Sequence, residues 1–166
     1  MRVAIIGAGG FAREVRDVCD ACSAAGQDCE VVGYVVEARY GAPGTMVNGL
    51  PILGGLGWFA SSGARGVAAI CGVGAPEVRR RMVEGARAHG ARFETVVHPA
   101  AVVTRWVELG EGVVITAGCI LTNGIRVADH VHLNLACTVG HDAVIGAFAT
   151  LVPRCISSHE NASFHG

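Results

Sequence analysis

Two hydrophobic rhythms divide this chain. Val3 to Ile6 is a continuous run of β-branched residues and alanine, the pattern of a buried strand. The turn Gly7-Ala8-Gly9-Gly10 follows, and then a helical stretch from about Phe11 to Ala25. A second buried strand is expected at Val31–Val36, a Gly/Pro-rich loop from Gly41 to Gly57, a third strand near Val67–Cys71 and a helix from about Pro76 to His89. That order predicts a small parallel sheet flanked by helices, a Rossmann-like α/β domain over residues 1–92.

Beyond residue 96 the period changes. Val97, Val103, Leu109, Ile115, Leu121, Val127, Leu133, Val139, Ile145 and Leu151 recur at every sixth position. Ala101, Val107, Val113, Cys119, Ile125, Val131, Cys137, Ala143, Ala149 and Cys155 follow each of them by four. The chain is 51% hydrophobic, so unbroken agreement in both registers has a chance on the order of one in a million. No helix or flat strand has a period of six. Hexads predict a parallel β-helix with triangular coils of three hexads each, aliphatic side chains filling the corners. About three coils are expected over 97–156. The repeat stops at Ser157, leaving 157–166 as an expected irregular tail.

Composition narrows the partners. The formal charge is −1 and the 13 basic residues are scattered rather than striped, which argues against nucleic acid and acidic lipid. No apolar run approaches the roughly 20 residues of a membrane span, and Met1-Arg2 leads directly into a strand, so a cytoplasmic protein is expected. Seven cysteines, an odd number without the spacing of a secreted scaffold, read as reduced thiols. Cys19-Asp20-Ala21-Cys22 lacks a second pair and lies in an expected helix, so no metal is expected. Cys119, Cys137 and Cys155 are eighteen residues apart, hence stacked in one inward column.

The glycine turn puts backbone N–H groups at a helix N-terminus, where the dipole favours phosphate. Gly7, Gly9 and Ala12 satisfy the dinucleotide fingerprint, and Glu37 follows the second strand. Three readings fit these residues: a nicotinamide dinucleotide, another nucleotide, or a turn of structural value alone. The residues ahead of the hexads are too few for both halves of a dinucleotide fold. His141 is the third residue of its hexad and should face outward, beside Asp142. His130 and His132 are expected at the surface.

Together, Ile6-Gly7-Ala8-Gly9-Gly10, Val32-Gly33-Tyr34, Asn48 to Gly54, Gly74 with Arg79, His98-Pro99 and Val139-Gly140-His141-Asp142 followed by Ile145-Gly146 resemble a known family. It is that of the bacterial left-handed β-helix sugar acetyltransferases, including sialic acid O-acetyltransferases and nucleotide-amino-sugar N-acetyltransferases. The resemblance implies acetyl-CoA as co-substrate, a nucleotide-linked amino sugar as acceptor and a homotrimer. It implies His141 as general base with Asp142 orienting it. Gly7, Gly9, Gly10, Phe11, Glu37, Gly74 and Ala75 would line the nucleotide-sugar crevice, Asn134 would lie near the transferred acetyl group, and Thr150 would face the acyl donor.

The chain departs from that pattern at several positions. Phe11 stands where relatives usually carry His, Val36 where Asp is usual, and Thr150 where many have a second His. Relatives also continue past the position of Pro153 with further coils. Two other readings therefore stay open: transfer to a sugar hydroxyl, and a non-catalytic nucleotide-sugar-binding or assembly protein.

Overall fold

The computed structural model describes residues 1–157 and a strand at 163–164. The chain divides into two units, Met1–Glu94 and Thr95–Gly166.

The first unit is built on β1 (Arg2–Ile6), α1 (Gly10–Ala24), β2 (Glu30–Val35), β3 (Met46–Val47), β4 (Leu50–Gly54), β5 (Val67–Cys71) and α2 (Pro76–Ala88). The strand order is β3-β4-β2-β1-β5, with every pairing parallel except β3 against β4. Central β1 has Val3, Ala4, Ile5 and Ile6 fully buried, as a strand covered on both faces requires. Helix α1 turns Ala12, Val15, Val18, Cys19 and Cys22 inward at helical spacing. Both helices fall within one residue of their expected bounds.

Within this unit one expectation needs correction. The stretch from Gly41 to Gly57 was expected to be a loop, and it holds the hairpin β3–β4. Asn48 and Gly49 both take positive φ, 44° and 79°, the geometry of a two-residue primed turn that fits the twist of a hairpin. The sheet is accordingly mixed, with β3 as an antiparallel edge.

The second unit is a left-handed parallel β-helix. Its two-residue strands are β6 (Val96–Val97), β7 (Val102–Val103), β8 (Glu108–Leu109), β9 (Val114–Ile115), β10 (Ile120–Leu121) and β11 (Arg126–Val127). They continue as β12 (His132–Leu133), β13 (Thr138–Val139), β14 (Val144–Ile145), β15 (Thr150–Leu151), β16 (Ile156–Ser157) and β17 (Ser163–Phe164). They stack as three four-stranded parallel sheets, so there are four levels rather than about three. Within the stretch expected to be irregular, Ser157 pairs with Val139 in β16 and Ser163–Phe164 pair with Val144–Ile145. The rest of that stretch, 158–162 and 165–166, lies outside the described residues.

From Ile115 to Leu151 the sixth-position aliphatics are buried, whereas Val97, Val103 and Leu109 are only partly covered. Those three sit in β6, β7 and β8, each the end strand of its sheet, with a neighbour on one side only. A repeating turn joins the strands. Gly112, Gly118, Gly124, His130, Ala136, Asp142, Phe148 and Arg154, six residues apart, all take positive φ.

Candidate functional sites in the two units

In the first unit a crevice of about 650 Å³ opens at the C-terminal ends of β1, β2 and β5. In open α/β sheets ligands bind at this position. Its wall includes Gly7, Gly9, Gly10 and Phe11 from the glycine turn, Glu37 after β2, and Gly74 before α2. Six expected site residues therefore meet in one place; Ala75 is the N-cap of α2, directly after Gly74. Neither α1 nor α2 has a side-chain hydrogen bond at its N-cap, and the N-terminal end of each helix adjoins this crevice.

Close packing sets the floor of this crevice. A Cβ on Gly72 would stand 2.6 Å from Ala12 Cα and 2.8 Å from Ala12 Cβ. Only glycine there, facing a small residue, lets α1 lie this near the end of β5.

Arg79 is fully buried, and its guanidinium donates to the carbonyls of Val73 and Gly74 at 3.0 and 2.9 Å. Burial draws its pKa down from the usual arginine range to about 10, so it remains a cation at neutral pH. It clamps the β5–α2 loop from inside the protein. At the rim, Arg39 pairs with Glu37 at 2.6 Å and lies over the Tyr40 ring. Arg81, Val78 and Met82 complete the wall from α2. Arg79 and Glu37 were among the residues named from sequence, whereas Arg39, Tyr40, Val78, Arg81 and Met82 were not, because the loop and helix face that carry them show no periodic signal.

In the second unit His141 and Asp142 occupy the turn between β13 and β14, and both are exposed. His141 Nδ1 lies 2.9 Å from Asp142 Oδ2. A ring whose Nδ1–H donates to a carboxylate carries its lone pair on Nε2. Asp142 has φ 61°, a left-handed conformation that aspartate tolerates better than most side chains. Its N–H donates to Asn123 O in the turn of the coil before, at 2.9 Å.

The other expected residues lie elsewhere on the prism. Asn134 follows β12 at a different corner, half-buried, with Oδ1 buried and making no hydrogen bond. Thr150 is in β15, paired in register with His132. The cysteine column is present: Cys119 and Cys137 are buried, and their thiols donate to the carbonyls of Asn134 and Val152 at 3.1 Å. His98 Nδ1 accepts from Ala100 N at 2.9 Å, shaping the turn after β6.

His130 and His132, expected at the surface, are both buried. His130 takes the left-handed turn position above Gly112, which has no Cβ to obstruct it, and its ring stacks on Phe148 with centroids 5.0 Å apart. Among the described residues no cluster of His, Cys, Asp or Glu is placed to hold a metal, and no helix is long and apolar enough to cross a membrane.

A crevice at the C-terminal edge of a small α/β sheet, and a hexapeptide prism bearing an outward His–Asp pair, define a class of two-domain left-handed β-helix proteins. The PglD N-terminal domain family matches residues 2–86, and the chain belongs to that family. It is similar to the acetyltransferase domain of PglB from Neisseria gonorrhoeae FA1090, solved in complex with acetyl coenzyme A. Identity is 28% and the TM-score 0.77, covering 92% of this chain and 70% of that one. It is also similar to WeeI from Acinetobacter baumannii AYE, at 25% identity and TM-score 0.81, covering 95% of this chain and 73% of that one. A curated relative, GDP-perosamine N-acetyltransferase of Escherichia coli O157:H7, is 29% identical over 77 residues. That match takes in 46% of this chain and 35% of the relative, so the chain spans about a third of that protein's length.

Proposed function

We propose that this protein transfers the acetyl group of acetyl-CoA to an amino group of a nucleotide-linked sugar. His141 acts as general base and Asp142 holds its ring. The observation that carries this reading is the 2.9 Å contact between His141 Nδ1 and Asp142 Oδ2 on an exposed turn. It fixes the tautomer in which Nε2 accepts a proton. As the amine nitrogen attacks the thioester carbonyl, its N–H proton passes to Nε2. The carbon–sulfur bond then breaks, and the proton can return to the departing CoA sulfur.

The crevice supports the acceptor assignment. Two helix N-termini without side-chain caps and the Arg39 and Arg81 side chains suit the phosphates of a nucleotide, and a volume of about 650 Å³ lies within the range of ordinary small-ligand sites. The curated relative's name favours an amine over a hydroxyl as acceptor, and the PglB domain, solved with acetyl coenzyme A, favours that donor. Phe11 in the glycine turn brings an aromatic ring to the crevice wall. Asn134 and Thr150 remain our assignments near the acetyl group and the acyl donor.

The decisive assay is a panel of nucleotide-linked amino sugars incubated with acetyl-CoA. CoA thiol release should accompany formation of an N-acetyl product on at least one panel member. Thiol release only with hydroxyl acceptors would convert the reading to O-acetylation. Tight nucleotide-sugar binding with no transfer would make the protein a binding module.

We also read the working form as a homotrimer. The outward positions of one sheet, Val102, Ile120, Thr138 and Ile156, stack one per coil. Three of them are aliphatic and 55%, 42% and 81% exposed. Such a stripe is suited to burial between copies. Sedimentation should give three times the monomer mass, and Ile120→Arg should reduce it; a monomer at micromolar concentration would contradict this.

A further inference from the structure

The His–Asp pair of the prism stacks directly on a glycine of the coil before it. Successive coils stack at eighteen residues, so the turn Asn123-Gly124 lies beneath the turn His141-Asp142, tied to it by the bond from Asp142 N to Asn123 O. A Cβ built on Gly124 would stand 2.5 Å from Asp142 Oδ1 but 3.6 Å from both Asp142 Cγ and Asp142 N. The only atom in the way is thus the tip of the carboxylate whose other oxygen meets His141. Backbone packing would tolerate the extra carbon, and the carboxylate would have to turn away.

A neighbouring turn provides the contrast. Gly118 takes the same left-handed conformation, with φ 72° against 64° for Gly124. There the stacked residue is Ala136, and an added Cβ would meet it at 3.7 Å, an ordinary contact. Backbone strain on substitution is therefore matched between the two sites, while a carboxylate would be displaced at Gly124 and not at Gly118.

We propose that Gly124 is a positioning residue for the His141–Asp142 pair, its missing side chain reserving the volume in which the Asp142 carboxylate holds the imidazole. This rests on the reading of His141 as the base, and it has a readout independent of that reading. The hydrogen bond at one ring nitrogen selects the tautomer at the other. In protein labelled with ¹⁵N-histidine, NMR of the His141 ring should show the Nδ1–H tautomer in the parent and in Gly118→Ala. Gly124→Ala should give a mixture of tautomers. No substrate is needed, so the result decides the role of Gly124 even if the parent transfers no acetyl group, an outcome that would refute only the proposed function.

Where turnover is measurable, Gly124→Ala should lower it by up to about 10²-fold, the scale on which small misplacements of a reacting group act, and Gly118→Ala should not. In an Asp142→Ala background the carboxylate is gone, and Gly124→Ala should then have no further effect. The proposal is overturned if Gly124→Ala keeps the parent tautomer, or if its loss of turnover persists undiminished in the Asp142→Ala background. It is also overturned if Gly124→Ala unfolds under conditions in which Gly118→Ala stays folded.

Discussion

The two units build functional surfaces by opposite means. At the crevice of Met1–Glu94 the chain leaves side chains out: Gly7, Gly9, Gly10 and Gly74 line the wall, and Gly72 lets α1 approach β5. Shape there depends on volume, backed by one buried cation, Arg79, that fixes the loop. On the prism the backbone makes the same left-handed turn every six residues, and what distinguishes one turn from the next is the side chain it carries. His130, Ala136 and Asp142 occupy equivalent turn positions, yet only Asp142 meets a histidine from an exposed corner. The crevice should therefore be sensitive to added atoms and the prism to the identity of a few side chains.

The largest break in this comparison should come from Arg79. Arg79→Ala removes two hydrogen bonds and leaves a buried void, which should destabilise the protein by about 3 kcal/mol in urea unfolding. A loss below about 1 kcal/mol would show that the clamp is dispensable. Next is Gly72→Ala, whose methyl group would run into the backbone of α1 and should cost about 2 kcal/mol while weakening nucleotide binding. Gly74→Ala sharpens the point: its Cβ meets nothing within 4 Å, so stability should hold while affinity, measured by calorimetric titration, falls. Equal stability losses at 72 and 74 would contradict the packing account. The smallest effect is expected for Asp142→Asn, roughly a tenfold loss of turnover, or about 1.4 kcal/mol, with unchanged nucleotide binding.

Much of this architecture was legible because its signals are local or strictly periodic. The hexads located the prism, since no other structure has that period, and the run Val3–Ile6 with its glycine turn located β1 and the crevice. The hairpin β3–β4 was missed because Met46–Val47 is a strand of only two residues among glycines and prolines; the Asn48-Gly49 pair was its one readable sign. Contacts that require coils to stack were harder to foresee. Burial of His130 depends on Gly112 and Phe148, each eighteen residues away, and the space under Asp142 depends on Gly124 at the same separation. Aligning the sequence in rows of eighteen puts each pair in one column, the pattern that hexad counting alone does not display.

The central claim is that the prism performs the proton transfer while the crevice holds the nucleotide. It is tested most directly by measuring acetyl transfer and nucleotide affinity together in the parent and in His141→Ala. On a substrate that the parent acetylates, turnover should fall by roughly 10²- to 10⁴-fold with nucleotide affinity unchanged. Near-parental turnover in purified His141→Ala would contradict the account.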